Sequence, residues 1–174
     1  MSSKTDRFAR IIGALALAVL LAASCGGKDA GERAAEKVAE KMIARAAGGD
    51  ADVDIEKGKI SMKGDGFSME SEETDSWPDE IPGDVPRFSY GKIERVTRTE
   101  NEEEGVRSYH LHFKDVDGNA GTRYRAELDE MGWETTMVDM GAEGGMVNGQ
   151  KGEAVVMVMF SKEEKMANLV ITVQ

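Results

Sequence analysis

The chain has 174 residues, of which 40% are hydrophobic and 32% charged, with 33 acidic residues against 22 basic ones. That length suits one core, or one core plus a small appendage, and the acidic excess repels nucleic-acid phosphate and anionic lipid headgroups alike, so no nucleic-acid partner is expected. The single cysteine, Cys25, excludes an intramolecular disulfide and a multi-cysteine zinc site.

Residues 1–10 are polar and net positive, and residues 11–23 (IIGALALAVLLAA) then run apolar and small without interruption. A run of about thirteen residues is too short for a spanning helix, which needs about twenty, and it matches the core of a cleavable signal peptide. It ends in Leu21-Ala22-Ala23-Ser24-Cys25-Gly26-Gly27. Small residues before Cys25 let an extended backbone enter a peptidase site, and the thiol can serve as an acylation nucleophile. The segment resembles the bacterial lipoprotein signal, the lipobox (LAASC). It departs from it at Ala22, where the family usually has Leu and this chain has Leu21 one place earlier. The resemblance implies that residues 1–24 are removed and that Cys25 carries a diacylglyceryl thioether, with a further acyl chain such as palmitate on its amine. Each buried methylene contributes roughly 0.8 kcal/mol, so two or three long chains anchor a protein stably. Competing readings are an ordinary signal peptide ahead of an incidental cysteine, and a retained membrane span. Gly26, not Asp, follows the cysteine, which by the same resemblance implies outer-membrane sorting if the source has two membranes. Cleavage removes Lys4, Arg7, Arg10 and Asp6, leaving 19 basic and 32 acidic residues and a net charge of −13.

Residues 25–31 form the lipidated cysteine and a Gly-rich tether, and residues 32–71 are expected to hold a helix plus a small β-meander. The helix is predicted over 30–47. Ala34, Ala35, Val38, Ala39, Met42, Ile43 and Ala46 recur there at helical spacing, and Gly48-Gly49 ends the pattern. Arg33/Glu36 and Lys37/Glu40 can pair at i,i+3. The mostly alanine stripe predicts a solvated helix against the following strands, with partner binding or self-association as the alternative. Val53 and Ile55, Ile60 and Met62, then Phe67 and Met69 alternate with polar residues around turns at Lys57-Gly58 and Gly64-Asp65-Gly66. Three such short strands cannot stand alone. Residues 72–91 are a linker holding all three prolines, Pro78, Pro82 and Pro86, and therefore extended. Its Trp77, Ile81, Val85 and Phe88 are expected to pack along the following domain.

Residues 92–174 read as an α+β domain. Strands are predicted at 92–99 and 106–114, and a helix at 120–131 stopped by Gly132-Trp133. A strand at 134–140, a short one at 146–148, and a final hairpin of 155–160 and 169–173 follow. The fold class expected is therefore α+β: an N-terminal helix and small β-meander, then a two-layer antiparallel sheet packed by one helix, ββαβββ-like. The WPDEIP stretch (residues 77–82) and the pattern Tyr124…Leu128…Gly132-Trp133 resemble uncharacterised small envelope lipoproteins over about residues 34–174. That resemblance implies architecture and address, and no functional residue.

Several constellations bear on chemistry. His110 and His112 share one face of a strand about 7 Å apart, so two imidazoles could hold Cu or Zn with a further carboxylate, although spacing identifies no third ligand. A solvated polar face is the competing reading. Asp115-Val116-Asp117-Gly118-Asn119 is similar to a calcium loop in composition, but Ala120 and Ala126 occupy the positions that need glycine and glutamate, so a turn and helix N-cap are expected. Residues 144–151 (GGMVNGQK) approach a phosphate-binding loop but place Gln150 where its lysine belongs. Met131, Met137, Met140, Met146, Met157, Met159 and Met166 could hold Cu(I), yet Met157 and Met159 sit in an apolar strand and read as core filler. No Gly-x-Ser-x-Gly or His-Glu-x-x-His motif is present, and acidic pairs such as Glu72-Glu73 fall in expected turns. Together these features predict a membrane-anchored envelope lipoprotein, not an enzyme and needing no cofactor. Its partner, a protein, glycan or lipid, would be met through the sheet face or the N-terminal helix. The alternative is metal binding by His110 and His112.

Overall fold

Apolar and polar side chains alternate strictly along Ser108–Lys114, and Val106–Lys114 is a strand with Tyr109, Leu111 and Phe113 buried on one face. The computed structural model describes residue 37, residues 52–56 and residues 58–174; the signal segment, Cys25, the tether and the helix predicted over 30–47, apart from Lys37, lie outside these. The chain divides into two compact units, Met1–Ser68 and Met69–Gln174.

In the first unit β1 (Asp52–Glu56) and β2 (Lys59–Gly64) form an antiparallel hairpin. Gly58 turns it with a positive φ of 85°, and Val53 opposite Met62 is its buried pair. β3 (Phe67–Glu73) runs across the boundary, and its residues from Met69 to Glu73 belong to the second unit.

The second unit contains β4 (Lys92–Asn101), β5 (Val106–Lys114), α1 (Ala120–Glu130), β6 (Glu134–Asp139), β7 (Gly144–Lys151), β8 (Ala154–Ser161) and β9 (Met166–Val173). Their spatial order, β4-β5-β9-β8-β7-β6, is antiparallel throughout. The α+β class holds for this unit. Its order is ββαββββ, and the short strand expected at 146–148 is a full eight-residue strand, residues 144–151, between β6 and β8. Glycines hide its ends. A Cβ on Gly145 would lie 2.4 Å from the Val138 carbonyl oxygen, and one on Gly149 would lie 3.3 Å from Leu128 Cδ1. Bare backbone at these positions admits α1 and the Phe160 ring, so residues that read as loop-formers serve close packing instead.

α1 lays Ala120, Tyr124 and Leu128 on the sheet, one helical row of fully buried side chains, while Gly121 makes room for the Phe160 ring. Its end is a Schellman motif: Trp133 N–H donates to Leu128 O (3.0 Å) and Gly132 N–H to Asp129 O (3.0 Å), with Gly132 at φ 79°. Asn119 precedes the helix, but its side chain makes no capping bond; Ala120 N–H donates instead to Asp117 O (3.0 Å).

The proline stretch belongs to this core. Ile81, Val85, Phe88 and Tyr90 are buried in it, and Trp77 packs against it. Three aromatic donors hold its backbone. Tyr124 Oη donates to Pro86 O (3.0 Å), Trp133 Nε1 to Asp84 O (3.0 Å) and Tyr109 Oη to Glu80 O (3.4 Å). Phe88 meets Tyr90, Phe113 and Tyr124 edge-on at centroid distances of 4.8–5.4 Å.

Candidate binding face of the sheet

The helix and the proline stretch cover one face of the sheet, and the other face carries the histidines. His110 and His112 point there with Ser108, as alternation requires. From His112 a continuous cross-strand row runs through Asn168, Met159 and Met146 to Val138. A second row runs from His110 through Val170, Met157 and Asn148 to Thr136, and a third from Ser108 through Thr172, Val155 and Gln150 to Glu134.

The face therefore has two halves. Toward β4 and β5 it is polar: Thr97 Oγ1 donates to Ser71 Oγ (2.9 Å), Arg95 pairs with Glu73 (3.1 Å), and Lys114 with Glu94 (2.7 Å). Toward β9, β8, β7 and β6 an apolar patch runs down β8 (Val155, Met157, Met159) and across to Met146 and Val138, with Val170 and Met166 on β9. Its polar members are Asn168, Thr172, Asn148, Gln150, Thr136 and Glu134. Val138 is 53% exposed, Met159 45%, Val155 42% and Met166 41%, with Val170, Met157 and Met146 half-buried among them. Four strands at about 4.8 Å spacing make this half roughly 14 Å wide. Asn168 Oδ1 has no hydrogen-bond partner among the described residues.

The methionines correct the core-filler expectation. Met157 and Met159 lie on the outward face of β8, and Met131, Met140 and Met166 are exposed; of the seven in this third of the chain, Met137 packs against the core. β8 has apolar residues at every position from Ala154 to Phe160, so no period marks which of them face out.

Neighbouring strands crowd both imidazoles while leaving them partly exposed. His110 is held below the usual histidine range by that crowding and then by the charge of His112. His112 is lowered by crowding and then by Arg95, with Glu94 opposing. Both are therefore neutral at pH 7, the form a metal would require, but the cation nearest His112 is a guanidinium. Among the described residues no three His, Cys, Asp or Glu side chains gather as a metal-holding group.

The acids of the Glu72-Glu73 pair and of the 115–119 loop are engaged. Glu72 and Glu73 lie in β3, not in a turn, and meet Arg98 (2.6 Å) and Arg95 (3.1 Å). Burial opposes the Arg98 charge, but Glu72, then Glu80 and Glu70, hold its guanidinium above the usual range. In the 115–119 loop Asp115 pairs with Lys92 (2.9 Å) and Asp117 with Arg123 (3.6 Å), which explains the loop as a salt-bridged turn. Tyr90 donates a short hydrogen bond to Glu127 under the Arg123 guanidinium; burial and that carboxylate raise its hydroxyl to about 12, so it is a fixed donor and no base.

The chain matches no known family model, and neither a curated protein nor a solved structure is detectably similar to it. Among the described residues no helix is long and apolar enough to cross a membrane.

Proposed function

We propose that the chain is a bacterial envelope lipoprotein, anchored by acyl chains on Cys25, whose folded domain is a non-enzymatic binding module working through the open face of its sheet. The observation that carries the binding half is the row Met159, Met146, Val138, continued along β8 by Met157 and Val155: apolar side chains turned outward on strands whose other face already fills the core. The lipobox resemblance supports the anchor, and Gly26 supports the outer membrane in a source with two. Pairing of Glu72, Glu73, Asp115 and Asp117 with cations supports a structural use of these acids over proton transfer.

A photo-crosslinking residue placed at Met159 or Val138 in intact cells should capture a discrete partner, while one at the exposed Glu130 of α1 should not. Absence of any capture from both sheet positions would overturn the binding reading. Feeding an alkyne fatty acid should label the native protein, and Cys25→Ser must abolish the label. Two neutral imidazoles on one face favour a second reading, metal binding by His110 and His112. Calorimetric titration of the protein with Cu or Zn tests it: no heat, or unchanged affinity in His110→Ala/His112→Ala, ends the idea.

A further inference from the structure

The ends of the apolar half-face are acidic. Glu143, Glu163 and Glu164 sit in the β6–β7 and β8–β9 turns at one end, and Glu134 with Glu153 at the other; all five are exposed, and none forms an ion pair among the described residues. Of the lysines nearest, Lys162 holds Asp139 (3.2 Å) and Gly141 O (2.6 Å), and Lys151 holds Met131 O (3.1 Å) and Asp84 (3.8 Å), while the exposed Lys165 in the β8–β9 turn offsets one acid and leaves that end net acidic. Between these ends β7 runs eight residues, roughly 23–26 Å. A helix about sixteen residues long has the same reach, and its apolar stripe fits within a width of about 14 Å.

Resting on the binding-module reading, we infer that the occupant of this half-face is a basic amphipathic helix of a protein partner, its apolar stripe on Val138, Met146, Val155 and Met159 and its lysines or arginines toward the acidic turns. Flexible thioethers can repack around an apolar stripe, as Met-rich recognition surfaces do. Charge disfavours a second copy: each mature chain is net −13 and would bring the same acidic ends together.

The test uses the acylated mature protein in zwitterionic lipid nanodiscs, with empty nanodiscs as reference. The probe is a peptide of about 18 residues with leucines and lysines at helical spacing. It should bind at least about tenfold more tightly than a scrambled peptide of the same composition and than its leucine/glutamate counterpart. Its affinity should weaken severalfold between about 0.05 and 0.3 M salt. Met159→Glu and Val138→Glu add negative charge yet remove apolar contact, and each should weaken binding by about tenfold. Met159→Ser and Val138→Thr, milder changes at exposed positions, should weaken it in the same order. Equal binding of the scrambled peptide, or undiminished binding to the glutamate variants, reduces the attraction to bulk charge and overturns the inference. Equal binding of the leucine/glutamate peptide overturns the role of the acidic ends. A dimer in sedimentation that is lost in Met159→Glu identifies a second copy as the occupant and overturns it as well. Capture at position 159 of a partner lacking any basic amphipathic segment sinks this inference and spares the binding module; no capture at all sinks both.

Discussion

The two faces of the β4–β9 sheet are built from the same strands and obey different rules. On the covered face Val96, Leu111, Val147, Val156, Val158, Leu169 and Ile171 are sealed from water by α1 and the proline stretch. On the open face β5 shows ordinary solvent-facing chemistry, with Ser108, His110 and His112, whereas β8 shows Val155, Met157 and Met159. An antiparallel sheet with one solvated face normally alternates apolar-in with polar-out. β5 follows that pattern, and β8 breaks it with no packing partner to explain the break among the described residues. The covered face thus accounts for stability, and the surplus apolar area on the open face asks for something else.

Mutations that separate the two faces sharpen this contrast. Leu128→Ala, in the middle of the covered face, should cost about 3 kcal/mol through lost burial and a residual cavity. For a unit of this size that lowers the melting temperature by roughly 10 °C or more. Gly121→Ala should cost about 1–3 kcal/mol for the opposite reason, since the new methyl would meet the Phe160 ring at 2.2 Å. Met159→Ser and Val138→Thr, on the open face, should change denaturant-measured stability by no more than about 0.5 kcal/mol. If they destabilised as much as Leu128→Ala, the open face would be a covered one and the comparison would fail.

The hydrogen bonds that hold the proline stretch come next in size. Trp133→Phe keeps an aromatic ring and deletes the Nε1 donor to Asp84 O. Tyr124→Phe deletes the donor to Pro86 O, leaving a carbonyl in a buried setting. Each should cost about 1–1.5 kcal/mol in urea unfolding. A value near zero for both would mean that burial of Ile81, Val85 and Phe88 alone seats the stretch.

Much of this architecture is legible in the residues, and the misses share a cause. β5 spans the residues its alternation predicts, so the outward placement of His110 and His112 follows from the pattern alone. Turn chemistry places α1 to within one residue at its end, because Gly132 and Trp133 complete the Schellman pattern. Only the middle of β7, residues 146–148, shows in the pattern, because Gly144, Gly145 and Gly149 look like turn residues, and their reason lies in Val138, Leu128 and Phe160, which are distant in sequence or across the sheet. The apolar half-face escapes a reading by pattern, since an uninterrupted run such as Val155–Phe160 carries no phase. Which side chains point outward depends on pairing with β7 and β9, a tertiary property.

The smallest expected effect lies where the polar and apolar halves of the open face meet. His110 and His112 are both held below their ordinary range, by crowding first and then by His112 and Arg95 respectively. A histidine depressed in the folded state remains neutral there while the unfolded chain takes up its proton. Its contribution is therefore fully present above the unfolded value, near pH 6.5, and is lost as pH falls from there through the folded value. Thermal melts between pH 7.5 and 5 should show this loss on top of the general carboxylate titration. His110→Gln/His112→Gln should flatten the segment just below pH 6.5 while leaving the curve above pH 7 nearly parallel to that of the native protein. Because both rings are partly exposed, solvent screening keeps the difference small, about a degree or two at most by the usual scale for surface electrostatics. An unchanged slope would mean that the crowding of these rings is relieved in solution. A slope of the opposite sign would require an anionic partner for the imidazoles, turning the polar half of the face from a neutral border into a cationic one at low pH.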